Sequence, residues 1–270
     1  MKKQAMERET MPPPAVVVEV RQGAMWIRLN RPEAMNALTP ELLNGIDQAL
    51  NEAEKNPEVR AVVLTGAGRA FCAGADLKYV RAQSDPDGPR RFLDCVLTTM
   101  NRLDSFPKPV IAALNGLALA GGLELVLCCD LVLAARGAKI GDAHANYGLL
   151  PGGGGSVRLP RVIGPTRAKY LLFTGDFLTA EDMMQAGLVN QVVDAGDLEE
   201  ATQTLVDKIA TKSPLGVRRM KALIDDGLQQ PMETALRLEL LASEVHSHSA
   251  DQCEGLLAFE EKRPPRFTGQ

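Results

Sequence analysis

The stretch Asn115-Gly116-Leu117-Ala118-Leu119-Ala120-Gly121-Gly122-Leu123-Glu124 decides how this chain is read. Just before it, Pro109 to Leu114 is a short apolar run of the kind buried on both faces of a sheet, and Asn115-Gly116 ends it. Just after it, an apolar helix extends to about Asp130, followed by strands at Leu131 to Ala135 and Lys139-Ile140-Gly141. The same plan occurs earlier in the chain. Val59 to Thr65 is an apolar strand closed by Gly66-Ala67-Gly68, the turn Phe71-Cys72-Ala73-Gly74-Ala75-Asp76-Leu77 follows, and Pro89 to Leu103 is mainly helical.

Outward from these two units, Ala15 to Leu29 reads as two strands around a Gln22-Gly23 turn, closed by Asn30-Arg31-Pro32. Thr39 caps a helix with Pro40 at its first position, and Leu42, Leu43, Ile46, Ala49, Leu50 and Ala53 recur at helical spacing until near Pro57. Strands and helices alternating at this spacing predict an α/β architecture with right-handed ββα or βαβ crossovers. Gly148 to Pro160 is a glycine-rich loop, and helices follow at Pro165 to Thr174, Ala180 to Ala186, Leu198 to Thr211, Leu215 to Gly227 and Met232 to Glu261. We therefore expect a flexible tail over residues 1–14, an α/β core over 15–200 and a helical region over 201–270. The apolar faces of that last region either fold back on the core or pack against another subunit.

Composition narrows the function. Hydrophobic residues make up 45% of the 270 and charged residues 24%, enough to bury a sizeable core, with aromatics at 4% leaving the packing to Leu, Val, Ala and Met. A net charge of −4 and the lack of a dense Lys/Arg run argue against a nucleic-acid partner. The longest apolar stretch, Leu117 to Ala135, is interrupted by Gly121, Gly122, Glu124 and Asp130, so no membrane span is expected, and the polar, Pro-rich start lacks the apolar stretch of a signal peptide. Five cysteines without Cys-x-x-Cys spacing point to a reducing compartment and to neither a disulfide framework nor a metal site.

The chemistry concentrates in the two turns. Small residues there let the backbone approach a ligand, and the second turn runs into a helix whose first amides lack intrahelical partners. Such amides can hold developing negative charge, although either turn alone reads better as a tight bend. Glu124 sits on the first turn of its helix, either as a complement to the helix dipole or as a general base. The run Pro151-Gly152-Gly153-Gly154-Gly155-Ser156 lacks the Gly-Lys-Ser/Thr of a phosphate-binding loop. Lys78 is either a solvated surface ammonium or a partner for phosphate.

Taken together, the two turns resemble the crotonase (enoyl-CoA hydratase/isomerase) superfamily in order, spacing and local sequence, from about Val16 to Phe267. The resemblance implies a spiral core of repeated ββα units with a helical C-terminal trimerisation region, assembled as trimers or paired into hexamers. It implies an acyl-CoA thioester substrate, no cofactor, no metal and a cytoplasmic location. By the same resemblance the backbone N–H groups of Ala75 and Gly121 form an oxyanion hole for a thioester enolate. Ala34, Ala37, Ala73, Asp76, Leu77, Lys78, Gly122 and, from the chain's end, Lys262 border the CoA or acyl moiety. Glu124 matches one of the two catalytic glutamates of the hydratases.

The second hydratase glutamate falls at His144, a departure from the family. An imidazole still gives or accepts a proton near neutral pH, since its unperturbed pKa is about 6.5. Asp142 is placed to orient it. The resemblance thus implies hydration of a 2-enoyl-CoA to a 3-hydroxyacyl-CoA. Alternatives are double-bond isomerisation, a His-dependent hydrolysis of a carbon–carbon bond or thioester, and a non-catalytic acyl-CoA-binding scaffold.

Overall fold

The strands of the repeated unit sort into two sheets. In a computed structural model describing residues 13–270, β1 (Val16–Arg21) and β2 (Ala24–Leu29) form an antiparallel pair. Parallel to β2 then lie β3 (Ala61–Gly66), β5 (Val110–Leu114), β7 (Leu131–Ala135) and β10 (Gln191–Val193), giving the order β1-β2-β3-β5-β7-β10. The strand after each turn crosses to the second sheet: β4 (Ala70–Cys72), β6 (Leu117–Leu119), β8 (Lys139–Gly141) and β9 (Phe177–Thr179), in that order. Helices close each unit: α1 (Pro40–Lys55), α2 (Leu77–Arg81), α3 (Gly88–Asp104), α4 (Gly121–Val126) and α5 (Gly155–Ile163). This is the repeated ββα spiral expected from the sequence.

The central strands show why their sequences are apolar throughout. On β3, Val62 and Leu64 enter one core while Ala61 and Val63 enter another; on β5, Val110, Ala112 and Leu114 face the first, and Ile111 and Ala113 the second. Period-two alternation gives each face its own set of side chains, so a strand covered on both sides needs no polar residues. The first core lies under α1 and α3. The second is covered by α8 (Leu198–Ala210), whose Leu198 and Val206 pack on Ala24, Trp26 and Ala61. Helix α8 therefore runs across the expected 200/201 boundary and rests on the sheet.

Beyond α5 come α6 (Pro165–Thr174), α7 (Ala180–Gln185), α9 (Pro214–Gly227), α10 (Met232–Ser247) and α11 (Ala250–Glu260). Two expectations need correction. The loop expected over Gly148 to Pro160 ends at Gly154, because Gly155 starts α5 and Pro160 sits inside that helix. The long helix expected from Met232 to Glu261 breaks at His248, where Ser249 caps α11 by accepting a hydrogen bond from Gln252 N at 3.2 Å. No residue of α9 or α10 is fully buried, unlike those of α1 and α3. No helix among the described residues is long and apolar enough to cross a membrane. The tail expected over residues 1–14 lies, apart from Pro13 and Pro14, outside the described residues.

Candidate active site

The two glycine-bearing turns pack directly against each other. A Cβ on Gly74 would lie 2.9 Å from Ala120 Cβ and 3.3 Å from Gly121 N, and one on Gly122 would overlap the Cys72 carbonyl oxygen. Ala120 itself holds φ 49°, ψ −117°, a conformation that a residue with a Cβ rarely adopts. It is held there by its amide, which donates to Gly141 O at 3.1 Å, and the bend leaves Gly121 as the first residue of α4. Among the described residues neither Gly121 N nor Ala75 N has a hydrogen-bond acceptor. The structure thus brings both expected oxyanion donors to one spot between strands β4 and β6.

Residues 31–38 form the neighbouring wall. Leu38 N donates to Gly74 O (2.8 Å), Asp76 N to Leu38 O (3.0 Å) and Ala73 N to Met35 O (3.0 Å), so Ala34 and Ala37 border the first turn. Asn36, buried with a left-handed φ of 55°, fixes this loop by donating to Ala67 O and Ala70 O and accepting from Arg31 N. The Asp76 side chain is fully engaged within the protein. Its Oδ1 accepts from Lys78 N and Tyr79 N at 3.1 Å each, capping α2, and its Oδ2 accepts from Arg31 Nη2 at 2.9 Å. Burial would raise that carboxyl, but Arg31 and the two amides outweigh it and hold it below its ordinary range. Asp76 positions the loop. Leu77 and Lys78 are exposed beside it, whereas Lys262 lies exposed at a left-handed turn after α11, with its amide donating to Phe259 O.

Glu124 is 2% exposed at the heart of the second turn's helix. Its Oε1 accepts from Gly153 N at 2.8 Å and from Gly155 N at 2.9 Å. Burial raises its pKa above the ordinary value, opposed by those two amides and by the charge of His144. The amides were not legible in the sequence. The glycine run was their only signal: a Cβ at Gly153 would overlap Met100 Sδ and sit 2.9 Å from Glu124 Oε2.

His144 opens a short 3-10 turn after β8. Its Nδ1 donates to Asp142 Oδ2 at 2.8 Å, while its own amide donates to Asp142 Oδ1 at 3.1 Å. The two bonds fix the ring and leave Nε2 as the free nitrogen. Burial alone would lower the imidazole pKa, but the hydrogen bond and charge of Asp142, followed by the charge of Glu124, carry it above the usual value. With Asp142 only 1% exposed at its side chain, this is a built pair. The site can therefore stabilise one oxyanion, take one proton on a buried carboxylate and give one from an imidazolium.

This geometry agrees with what the chain is similar to. A family model described as Enoyl-CoA hydratase/isomerase matches residues 19–270. Crotonyl-CoA hydratase of Syntrophomonas wolfei is 37% identical over 253 residues, 93% of this chain and 97% of that protein. The 1,2-epoxyphenylacetyl-CoA isomerase of Escherichia coli is 38% identical over 260 residues, 94% of this chain and 98% of that one. The crystal structure of enoyl-CoA hydratase from Bacillus anthracis superposes with a TM-score of 0.91 at 40% identity, covering 95% of this chain and all of that one. The fold is the one that structure has, and the chain is an enzyme of the enoyl-CoA hydratase/isomerase family.

Proposed function

We propose that this enzyme hydrates 2-enoyl-CoA thioesters to 3-hydroxyacyl-CoA, with Glu124 and His144 dividing the proton work. Water attacks C3 as Glu124 takes its proton, the C2=C3 electron pair moves toward the thioester oxygen, and that oxyanion is held by Ala75 N–H and Gly121 N–H. His144, protonated at Nε2, delivers a proton to C2. Solvent exchange then returns both side chains to their starting states, so no cofactor is required. Preorganised donors act where charge grows, and one such donor is worth about 2.7–4 kcal/mol.

The observation that carries this reading is the pinned Glu124 carboxylate, coupled to an imidazole held by its own aspartate beside two unpartnered amides. Ala34, Ala37, Ala73, Gly122, Leu77 and Lys78 would border the acyl-CoA, with Lys262 supplied from a neighbouring copy. Self-assembly into trimers or hexamers is part of the proposal, since Met220, Ile224, Leu228, Met232, Leu236 and Leu240 are exposed on α9, α10 and the turn between them. All five cysteines are unpaired, which suits a cytoplasmic location.

Isomerisation is the second reading, favoured by the His144–Asp142 pair, because one imidazole nitrogen can remove a proton and return it elsewhere without water. Incubation with crotonyl-CoA and a series of longer and branched 2-enoyl-CoAs, with products separated by mass, decides between them. Products heavier by one water support hydration; migrated double bonds at unchanged mass support isomerisation. Unchanged substrates that still bind would reject both.

A further inference from the structure

The loop that holds Glu124 has a second face. Gly153 N and Gly155 N point at the carboxylate, and the Gly153 carbonyl points the other way, where it accepts from Arg158 Nη1 at 2.9 Å. The same guanidinium donates through Nη2 to Asn101 Oδ1 at 3.0 Å and to Asp104 Oδ2 at 2.9 Å, both on α3. Its side chain is 17% exposed. Between the two amides stands Gly154, with φ 105°, where a Cβ would overlap Arg158 Nη1, so the guanidinium occupies space that only glycine leaves open. One cation therefore ties three things together: the end of α3, the start of α5 and the peptide unit between the two amides that grip Glu124.

We propose that Arg158 is a positioning residue for the Glu124 carboxylate, acting through the Gly153 peptide rather than by touching substrate. A planar fork with several donors suits this bridging, and a lysine point charge does not reproduce it. Without the bridge, the 153–155 loop is free to shift and its two amides no longer meet Oε1 together. A displacement of about 1 Å at a reacting group can cost on the order of 10²-fold in rate. The groups facing Glu124 are His144 and Asp142 after β8, Cys128 after α4, Arg158 on α5 and, beyond Arg158, Asp104 on α3. Two changes follow from removing Arg158: a nearby positive charge is lost and the amide bonds to the carboxylate weaken. Both raise the pH at which Glu124 ionises.

The inference rests on Glu124 acting as the base, so its test carries one readout that needs no turnover. Arg158→Ala, Arg158→Lys and Asp104→Asn are compared with the wild-type enzyme in 2-enoyl-CoA hydration. The Glu124 carboxyl is titrated in parallel by infrared difference against Glu124→Gln. For Arg158→Ala we expect kcat to fall about tenfold to a hundredfold with KM within about twofold. The acid limb and the infrared titration should both move to higher pH, and added guanidinium should restore part of the rate. Asp104→Asn keeps the guanidinium and removes a negative charge as well as one of its anchors, two effects of opposite sign on Glu124, so it should shift the titration far less than Arg158→Ala, and Arg158→Lys should not rescue. An unmoved infrared titration in Arg158→Ala overturns the proposal, as does a loss of kcat with no shift and no guanidinium rescue, or a shift in Asp104→Asn as large as in Arg158→Ala. If the wild-type enzyme hydrates nothing, the infrared titration alone decides, and Glu124's role as base falls separately.

Discussion

Single residues carry the acid–base assignment. Glu124→Gln keeps the shape and the amide contacts but removes the base, and should lower kcat about 10²- to 10⁴-fold while leaving acyl-CoA binding nearly unchanged. Rate should follow a bell with pH, because Glu124 must be ionised and His144 protonated. Both groups lie above their ordinary values of 4.5 and 6.5, so the acid limb falls above the first and the alkaline limb above the second. The pairing of His144 also adds stability that is complete below its unfolded value and lost as pH rises through the raised folded one. Asp142→Asn removes the charge that raises the imidazole, so the alkaline limb should move to lower pH while the acid limb moves little; an unmoved alkaline limb would show that another group sets it. At this scale Glu124 and His144 were singled out through the resemblance to the family, helped by a carboxylate on an apolar helix and a histidine just ahead of a glycine loop. Arg158 was not, since a basic residue on a helix has an ordinary surface reading and its three partners are 5, 54 and 57 residues away in the chain.

Elements decide whether those residues meet. Ala75 N and Gly121 N come together because β4 and β6 run side by side and the glycines in the turns that follow let those turns touch, so a methyl group at Gly122 would run into Cys72. Gly122→Ala should therefore cost about 1–3 kcal/mol of stability or more, and abolish turnover by separating Ala75 N from Gly121 N. Thermal denaturation and a hydration assay check both halves; full activity at unchanged Tm would contradict the close approach. The long strands and helices were readable in the sequence because their apolar periodicities run for five residues or more. The three-residue strands β4, β6, β8, β9 and β10 are too short for periodicity to declare, and of these only β8 was expected. They are fixed by neighbours instead, β4, β6, β8 and β9 by one another in the second sheet and β10 by β7 at the edge of the first. The break at His248 was likewise hidden, because apolar residues continue on both sides of the Ser249 cap.

At the scale of the whole molecule, the alternation of strands and helices was visible in the apolar runs and glycine turns, the ββα spiral was implied by the family resemblance, and the destination of the C-terminal helices was not legible. Helix α9, exposing Ile224 at 61% and followed by Leu228 at 80%, is unfinished as a surface. Ile224→Asp combined with Leu228→Asp should shift the protein from the proposed trimer or hexamer toward the monomer in analytical ultracentrifugation; unchanged sedimentation would mean that this face is not the assembly surface. The account as a whole turns on one proposition, that the site adds water across a double bond with separate protein groups handling the two protons. Its most direct test is turnover of crotonyl-CoA in isotopically labelled water, in parallel reactions with H₂¹⁸O and D₂O. The account predicts one ¹⁸O at C3 and one solvent deuteron at C2 of a 3-hydroxyacyl product, with both incorporations lost in Glu124→Gln. Deuterium incorporation without ¹⁸O in any product, at undiminished rate in Glu124→Gln, would contradict it.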